Sequence, residues 1–281
     1  MATNKNLLVS IITVCLNSED CLEKTIQSVL DQKYKDKEYI IIDGGSWDGT
    51  LDIIKKYENF ISFWSSKKDK GIYDAMNKGI SVANGNILHF MNAGDVYYSN
   101  DVLTTINDIF NKKEDTGIVY GLAESFSEYE DLKYINGSKI DKSRLWKGMP
   151  VCHQSMFFKR DVFRILGRYN LDYSSMADYE FLLRFVNTNH KFKLYYIDKV
   201  LSSFDLYGFS SKDYLKNLKE IETLCKKYYQ FNMAKRFYFI TGKIKFYFLV
   251  ILKKTGLHKF YRKIKYKYFY GLFSKKRILN K

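Results

Sequence analysis

The sequence has little proline, few cysteines and no cysteine pairing pattern. Pro150 is the one proline among 281 residues, which argues against a proline-rich spacer between folded parts. The four cysteines are scattered, no two form a CxxC pair, and no second pair joins Cys152 and His153 to complete a zinc site. A disulfide framework is therefore not expected, and the cysteine content fits a reducing cytosol.

Signatures of the common nucleotide-binding loops are absent as well. Neither GxGxxG nor GxxxxGK[ST] occurs, so dinucleotide-binding and P-loop functions lack sequence support. No internal repeat is present. The N-terminal segment MATNKNLLVSIITV has an apolar stretch but no small-residue cleavage site, and we interpret it as a first core strand rather than a signal peptide.

Acidic residues are scarce in the last quarter of the chain. Residues 1–210 contain 26 Lys/Arg and 28 Asp/Glu, whereas residues 211–281 contain 20 Lys/Arg and 3 Asp/Glu, and no acid follows Glu222. The formal net charge of +15 therefore belongs to the C-terminal part. Such asymmetry predicts two parts with different functions, a main domain at 1–210 and a basic extension at 211–281.

Hydrophobic patterning predicts alternating strands and helices before residue 96. The run Leu8–Cys15 is continuous, apolar and rich in β-branched residues, which is typical of a strand buried on both faces. Asn17-Ser18-Glu19 offers an N-cap for a first helix. Further strands are predicted at Glu38–Asp43, Ile61–Trp64 and Ile87–Met91, and a helix at Ile72–Ala83. This order indicates an α/β fold with a mainly parallel sheet flanked by helices.

Polar residues follow four consecutive predicted strands. They are Asn17, Asp43, Lys70 with Asp74, and Asp95. In open α/β sheets, ligands bind beyond the carboxyl ends of the strands. The sequence therefore predicts a nucleotide site at this edge of the sheet, built without a glycine-rich phosphate loop.

Five segments carry a resemblance to a known family. They are VSIITVCLNSEDCLEKTIQSVLDQKY, EYIIIDGGSWDGT, DKGIYDAMNKGISVANGNILHFMNAGD, HQSMFF and ADYEFLLR. Through them, residues 7–210 resemble family 2 glycosyltransferases, most closely those that assemble bacterial O-antigen and capsule repeats. The resemblance implies a GT-A fold, and residues 211–281 are expected to form a helical, basic C-terminal extension.

The resemblance also implies a nucleotide-sugar donor, with UDP as the expected nucleotide. Asp43 would accept the uracil imide N–H or a ribose hydroxyl, although an aspartate before two glycines is also a common turn residue. Asp74 and Asn77 lie one turn apart and are expected to share a helix face. The full implied set for the nucleotide sugar is Thr13, Asn17, Asp43, Lys70, Asp74, Asn77, Asn92 and Asp95. Asn17 is equally explained as a helix cap, and Lys70 as a solvated lysine.

Asp95 is the expected metal ligand. A divalent cation, Mg²⁺ or Mn²⁺, neutralises the charge of a sugar diphosphate and orients the leaving group. The family's usual Asp-x-Asp motif is reduced here to Asn92-Ala93-Gly94-Asp95, which keeps only the last carboxylate. Diphosphate oxygens and waters would supply the other ligands. The alternative is a loop aspartate that caps the next helix.

The resemblance places the general base at Asp178, at the start of a predicted helix. Inverting transfer needs a group that removes the proton of the acceptor hydroxyl, and a carboxylate meets that need. Asp178 is also explained as a helix N-cap. Glu180 is the competing acid, although an ion pair with Arg184 at i+4 would account for it. Acceptor contacts are expected from His153, Gln154 and Tyr179. The pair His153-Gln154 is alternatively explained as a buried polar pair. The segment Gly208–Ser210 resembles a loop that closes over the diphosphate.

The C-terminal tail is basic and aromatic. Residues 223–281 contain 17 Lys/Arg, no Asp/Glu and 16 Phe/Tyr. Its longest apolar run, Phe246–Leu252, is far shorter than the ~20 residues of a spanning helix, so the tail is expected to lie on an anionic membrane surface. The alternatives are a dimer-forming helical hairpin and nucleic-acid binding. A membrane-bound acceptor argues against nucleic acid.

The sequence as a whole predicts an inverting glycosyltransferase. It would move a hexose or N-acetylhexosamine from a UDP-linked donor to a polyprenyl-diphosphate-linked glycan at the cytoplasmic face of the inner membrane. Two alternatives are a nucleotidyltransferase and a non-catalytic, membrane-bound scaffold of the same fold. The first usually needs a basic, glycine-rich N-terminal loop, and Leu16–Cys21 is LNSEDC. The reduced metal motif allows the second.

Overall fold

The computed structural model describes residues 5–127, 132–205, 214–255 and 257. Within them the strands are β1 (Val9–Cys15), β2 (Lys37–Asp43), β3 (Phe63–Ser66), β4 (Ile87–Phe90), β5 (Val96–Tyr97), β6 (Thr116–Ser127), β7 (Leu132–Asn136), β8 (Met156–Lys159) and β9 (Lys193–Asp205). The α-helices are α1 (Leu22–Leu30), α2 (Thr50–Lys56), α3 (Ile72–Val82), α4 (Val102–Lys112), α5 (Arg160–Leu166), α6 (Ala177–Asn187), α7 (Tyr214–Tyr228) and α8 (Met233–Lys254). Short 3₁₀ helices lie at Glu58–Phe60, Lys142–Lys147 and His153–Ser155.

One mixed sheet organises these elements. Its strand order is β3-β2-β1-β4-β8-β6-β9-β5, with β7 paired to β6. Strands β3, β2, β1 and β4 are mutually parallel, whereas β8 runs antiparallel to both β4 and β6. The carboxyl ends of the first four strands therefore meet at one edge. The predicted α/β fold and the polar edge of its parallel half are confirmed.

Both faces of the sheet are covered, as the unbroken apolar strands require. All seven residues of β1 are buried, and consecutive side chains alternate between the faces. Ile12 belongs to the core beneath α3 and α6, whereas Ile11 belongs to the core beneath α1, α2 and α4. Two hydrophobic layers therefore hold the strand ends in fixed positions.

Two predicted elements differ from the structure by more than one residue. Helix α1 begins at Leu22, because Ser18–Cys21 first form a turn in which the N–H groups of Cys21 and Leu22 donate to the Ser18 carbonyl. Strand β3 begins at Phe63 and extends to Ser66, since its pairing with β2 continues until Ser66 lies opposite Asp43. Apolar content located that segment, and backbone pairing decided where the strand begins and ends.

The described part of the C-terminal extension is helical, as expected. Helices α7 and α8 pack closely because Gly242 leaves no side chain in the way; a Cβ there would lie 3.2 Å from Leu218 Cδ2. Leu224 of α7 is buried in the main core, so α7 is attached to the rest of the protein. The boundary at 210 stays a prediction. Among the described residues, no helix has the length and apolar character needed to cross a membrane.

Candidate functional site

Asp43 organises the loop that follows β2. Its carboxylate accepts hydrogen bonds from the backbone N–H groups of Gly45 and Ser46, at 3.0 and 2.9 Å, and from the Ser66 hydroxyl at 2.6 Å. Burial works to raise the pKa of Asp43, but the hydrogen bonds from Ser46 and Ser66 outweigh it and the pKa is lowered. The structure thus gives this buried carboxylate partners within the chain, and its contact with a nucleoside stays a prediction.

The structure brings Asn17, but not Thr13, to the surface at this edge. Asn17 is exposed and has a positive φ of 49°; its side-chain oxygen accepts from the N–H of Trp47 at 3.1 Å. Its own N–H donates to the Ser46 hydroxyl at 2.7 Å. The Thr13 hydroxyl is fully buried and lies 3.0 Å from the Tyr39 hydroxyl. Asn17 therefore ties the loops after β1 and β2 together, whereas Thr13 lies inside the core.

Lys70, Asp74 and Asn77 have different surroundings. Asp74 accepts from the backbone N–H of Lys70 at 3.0 Å and forms an ion pair with Lys78 at 3.3 Å. Asn77 is buried, and its amide forms two hydrogen bonds with the backbone of Tyr169, at 2.9 and 3.0 Å. The Lys70 residue is exposed. Asn77 thus fastens α3 to the segment before α6, and only Asp74 and Lys70 retain exposed surface.

A polar chain connects the end of β4 with the start of α6. The Nδ2 atom of Asn92 lies 2.9 Å from Nε2 of His153, and Nδ1 of His153 lies 3.8 Å from Oδ2 of Asp178. Since the amide nitrogen of Asn92 is a donor, Nε2 must accept, which places the proton of a neutral imidazole on Nδ1, facing Asp178. Burial lowers the pKa of His153 while Asp178 acts in the opposite direction. A neutral, oriented imidazole follows from both observations.

Asp178 is held on its other side by Tyr73. The Tyr73 hydroxyl donates to Oδ1 of Asp178 at 2.8 Å and lies 3.0 Å from the Ser175 carbonyl oxygen. The backbone N–H of Tyr179 also donates to Oδ1, at 2.8 Å. The Asp178 side chain retains 17% exposure. Helix α6 begins at Ala177 with Met176 as its N-cap, so Asp178 is not the capping residue.

Glu220 of α7 braces the segment that leads to Asp178. Its carboxylate accepts from the N–H groups of Ser174, Ser175 and Met176, at 3.2, 3.1 and 3.0 Å, and from the Ser174 hydroxyl at 2.9 Å. The sequence analysis missed both Glu220 and Tyr73. Tyr73 lies in the segment GIYDAMNKG, in which the sequence predicts only the polar Asp74 and Asn77 as ligand contacts. No local signal links Glu220 to a loop so distant in the chain.

Two other residues near Asp178 have structural roles. Glu180 is 2% exposed, and it pairs with Arg184 at 2.8 Å and accepts from the Tyr228 hydroxyl at 2.7 Å. The expected i,i+4 ion pair is therefore present. Tyr179, expected to contact an acceptor, is fully buried, and its hydroxyl donates to the Leu145 carbonyl. Gln154 is also buried. Of the three expected acceptor residues, His153 is the one whose side chain lies beside Asp178, whereas Tyr179 reaches it through its backbone N–H.

Asp95 is the buried acid of the turn after β4. Burial raises the pKa of its carboxyl from 3.8 to about 8. Burial is also the main cause that raises the pKa of the Cys152 thiol to about 12, and the charges of Asp95 and Asp178 both raise it further. Both carboxylates therefore lie within electrostatic range of one thiol. Two carboxylates that are far apart in sequence are thus brought near Cys152, the residue before His153.

Metal ligands are sparse in the described chain. No group of three or more His, Cys, Asp or Glu side chains that could hold a metal ion occurs within residues 5–127, 132–205 and 214–255. Asp95 fits a loosely held cation, since within the part of the chain that the structure describes no Lys or Arg offsets the loss of solvation of its buried carboxylate. The expected loop at Gly208–Ser210 lies outside the described residues.

Comparisons with known proteins give a consistent match. The model of the family described as Glycosyl transferase family 2 matches residues 10–167. A PGL/p-HBAD biosynthesis glycosyltransferase of Mycobacterium bovis (strain BCG / Pasteur 1173P2) is 32% identical over 221 residues, which cover 75% of this chain and 84% of the relative.

Solved structures of low sequence identity share the fold. S. aureus TarS 1–349 in complex with UDP-GlcNAc matches with a TM-score of 0.62 and 14% identity, over 81% of this chain and 69% of that chain. A mannosyltransferase of Pyrobaculum calidifontis in complex with GDP-Man and Mn²⁺ matches with a TM-score of 0.63 and 14% identity, over 95% and 83%. A longer TarS chain is spanned over only 39% of its length. At these identities the likeness establishes the GT-A fold alone.

Proposed function

Because the chain belongs to glycosyltransferase family 2, we propose that it catalyses inverting transfer of one hexose or N-acetylhexosamine from a nucleotide sugar, UDP-linked, to a lipid-linked oligosaccharide. The observation that carries this proposal is the approach of Asp95 and Asp178 to one region around His153 and Cys152. In this proposal Asp95, in the turn after β4, serves the donor, and Asp178, in the first turn of α6, serves the acceptor. Family membership favours a glycosyltransferase over the nucleotidyltransferase and scaffold alternatives.

Asp178 is the general base of the proposed reaction. Its Oδ1 atom is engaged by Tyr73 and the Tyr179 N–H, which leaves Oδ2 for the acceptor. As the acceptor oxygen bonds to the anomeric carbon, its proton passes to Oδ2, and the bond to the diphosphate breaks on the opposite face with its electron pair. Inversion of an α-linked donor then produces a β-glycoside.

His153 orients the base in this scheme. Its Nδ1–H faces Oδ2 of Asp178, and Asn92 fixes the tautomer by donating to Nε2. A neutral imidazole 3.8 Å from Oδ2 would help to direct the carboxylate into the site without the strong ion pair that an imidazolium would form. Asn92 therefore has a supporting role toward His153, in addition to its predicted contact with the nucleotide sugar.

Asp95 is the residue that would hold a divalent cation. The buried carboxylate offers one ligand, and the donor diphosphate and water would complete the set, as is usual for Mg²⁺. A bound Mg²⁺ or Mn²⁺ would supply charge neutralisation of the leaving diphosphate. The mannosyltransferase that shares this fold was crystallised with Mn²⁺, which supports the proposal without identifying the ion for this chain.

The acceptor and location follow from the basic extension. We place the enzyme at the cytoplasmic face of the inner membrane, bound through residues 223–281 to anionic lipid, with a polyprenyl-diphosphate-linked glycan of O-antigen or capsule synthesis as the acceptor. The 17 Lys/Arg of this segment, with no Asp/Glu, support an anionic surface as the partner. A lipid-linked acceptor would be presented at that surface.

The test is transfer by the purified full chain and its Asp178→Asn variant. A panel of nucleotide sugars is supplied with a synthetic prenyl-diphosphate-linked acceptor, and product formation and UDP release are measured. We expect the variant to lose transfer while UDP affinity stays within about twofold, because the base acts on the acceptor. The control is Asp52→Asn, an exposed carboxylate whose side chain is 87% accessible. Near-normal turnover of the Asp178→Asn variant would refute the assignment.

A further inference from the structure

Helix α8 carries a continuous row of exposed large apolar side chains, which we call the α8 stripe. Its members are between 44% and 76% exposed. They are Met233, Phe237, Ile240, Ile244, Tyr247, Phe248 and Ile251. The spacing of three and four residues places all of them on one face of the helix. The row extends about 27 Å at 1.5 Å per residue.

The opposite face of α8 is fixed to the protein. Phe239 is buried, and the Phe246 ring stacks on Tyr214 with ring centroids 5.5 Å apart. Lys243 pairs with Glu222 of α7 at 2.9 Å. One side of the helix is thus occupied by its own domain, and the α8 stripe faces outward. An apolar surface of this extent on a folded protein marks an interaction site.

Charge identifies the partner. The helix contains Lys235, Arg236, Lys243, Lys245, Lys253 and Lys254 and no acidic residue. Two copies joined through the α8 stripe would bring two basic helices together with no acid on either helix to compensate, and like charges at an interface are unfavourable. An anionic bilayer satisfies both features, because it accepts apolar side chains at the acyl boundary and attracts Lys and Arg at the headgroups.

We propose that the α8 stripe inserts into the surface of an anionic bilayer, with α8 lying flat in the headgroup region. This deepens the proposed function by naming the face that contacts lipid. Glu220 of α7 holds Ser174–Met176, the segment that leads to Asp178. Docking of α8 would therefore also hold Asp178 at a fixed height above the membrane. Such a height suits an acceptor whose sugar projects from the lipid.

The experiment is cosedimentation of the full-length chain with phosphatidylcholine vesicles that contain or lack phosphatidylglycerol. We expect binding only to the anionic vesicles, weakening as salt rises. The double variant Phe237→Glu/Ile244→Glu should bind at least about tenfold more weakly, because two apolar side chains that would insert into the bilayer are replaced by charged ones. The matched control is Phe60→Glu, whose phenylalanine is 62% exposed but lies outside the α8 stripe; it should bind like the wild type. Melting curves verify folding.

The outcomes distinguish an anionic bilayer from a second copy of the chain as the partner of the α8 stripe. Equal binding by the stripe variant and the control, or equal binding to neutral vesicles, overturns the proposal. A wild-type dimer in light scattering that the double variant dissociates, with no vesicle binding by either, assigns the stripe to self-association instead. If the double variant fails to fold, the single variants Phe237→Glu and Ile244→Glu are measured instead, and each should still bind the anionic vesicles more weakly than Phe60→Glu. Vesicle binding needs no donor or acceptor, so the Asp178→Asn variant should bind normally even if the catalytic proposal fails.

Discussion

The hydroxyl of Tyr73 donates a hydrogen bond of 2.8 Å to Oδ1 of Asp178 across 105 residues of sequence. Tyr73 belongs to α3, whereas Asp178 belongs to α6. The tyrosine ring is buried against Tyr169, with ring centroids 5.5 Å apart, so the hydroxyl has a defined position. In the proposed reaction, this contact selects which carboxylate oxygen of Asp178 is left for the acceptor.

Replacing Tyr73 by Phe should lower kcat while leaving the KM for the donor nearly unchanged. The change removes one hydrogen bond to a charged group, worth about 1.5–3 kcal/mol, so we expect a loss of about ten- to a hundredfold. Steady-state kinetics at saturating donor measure it. The control is Tyr97→Phe, because the buried hydroxyl of Tyr97 has no hydrogen-bond partner among the described residues. A loss confined to KM would contradict a role at Asp178.

Replacing Glu220 by Ala should reduce both stability and kcat. The variant leaves three backbone N–H groups before Asp178 without their carboxylate acceptor, which should cost about 1–3 kcal/mol in unfolding free energy. Chemical denaturation and kinetics measure the two effects. The stability and kcat of the Glu220→Gln variant should lie between those of the wild type and those of Glu220→Ala. One terminal atom of the glutamine is a donor, and it would face the donating N–H groups.

The control for Glu220 is Lys219→Gln, on an exposed neighbour in the same helix. It should match the wild type in both measurements. A Glu220→Ala variant that loses stability but keeps full kcat would show that the brace is structural and does not position Asp178.

Replacing Asp95 by Asn should abolish the metal dependence of the reaction. We expect a loss of activity of about a hundredfold or more, because a metal ion contributes several kcal/mol to charge stabilisation. Thermal melting gives an independent readout, since Mn²⁺ with UDP should raise the melting temperature of the wild type but not of the variant. Removal of metal from the wild type with a chelator should produce the same loss. Metal-stimulated turnover by the variant would exclude Asp95 as the ligand.

Replacing Glu222 by Gln should weaken the attachment of α8 in a pH-dependent way. Burial acts to raise the pKa of Glu222, but hydrogen bonds from Lys243 and Lys226 outweigh it, so the folded-state pKa lies below 4.5. A lowered pKa means that the carboxylate stabilises the fold above pH 4.5 and that this stability is lost as pH falls through the folded-state pKa.

The variant should therefore be less stable than the wild type by about 1 kcal/mol at pH 7, and the difference should vanish in acid. Denaturation at several pH values measures it. The exposed pair Asp161–Arg164 supplies the control, Asp161→Asn, which should change little. A stability difference that is the same at every pH would rule out the ionised carboxylate as its cause.

More of the fold than of the candidate site could be predicted from the sequence. The run Leu8–Cys15 predicts a buried strand and Glu38–Asp43 predicts a second strand, and both are strands in the structure. An unbroken apolar, β-branched run such as the first has few other ways to be buried. The ion pair of Glu180 with Arg184 was also predictable, since a helix brings i and i+4 together wherever it lies. Charge alone predicts the basic extension, and its boundary at 210 stays a prediction.

Tertiary structure decided which polar groups reach the site and which stay inside. Thr13 and Tyr179 were plausible ligand contacts by position, but neighbouring elements bury both. Tyr73, Glu220 and the outward face of α8 gained their significance from partners far along the chain. Local periodicity determines that side chains share a face, whereas the packing of distant elements determines whether that face meets a core, a ligand or solvent.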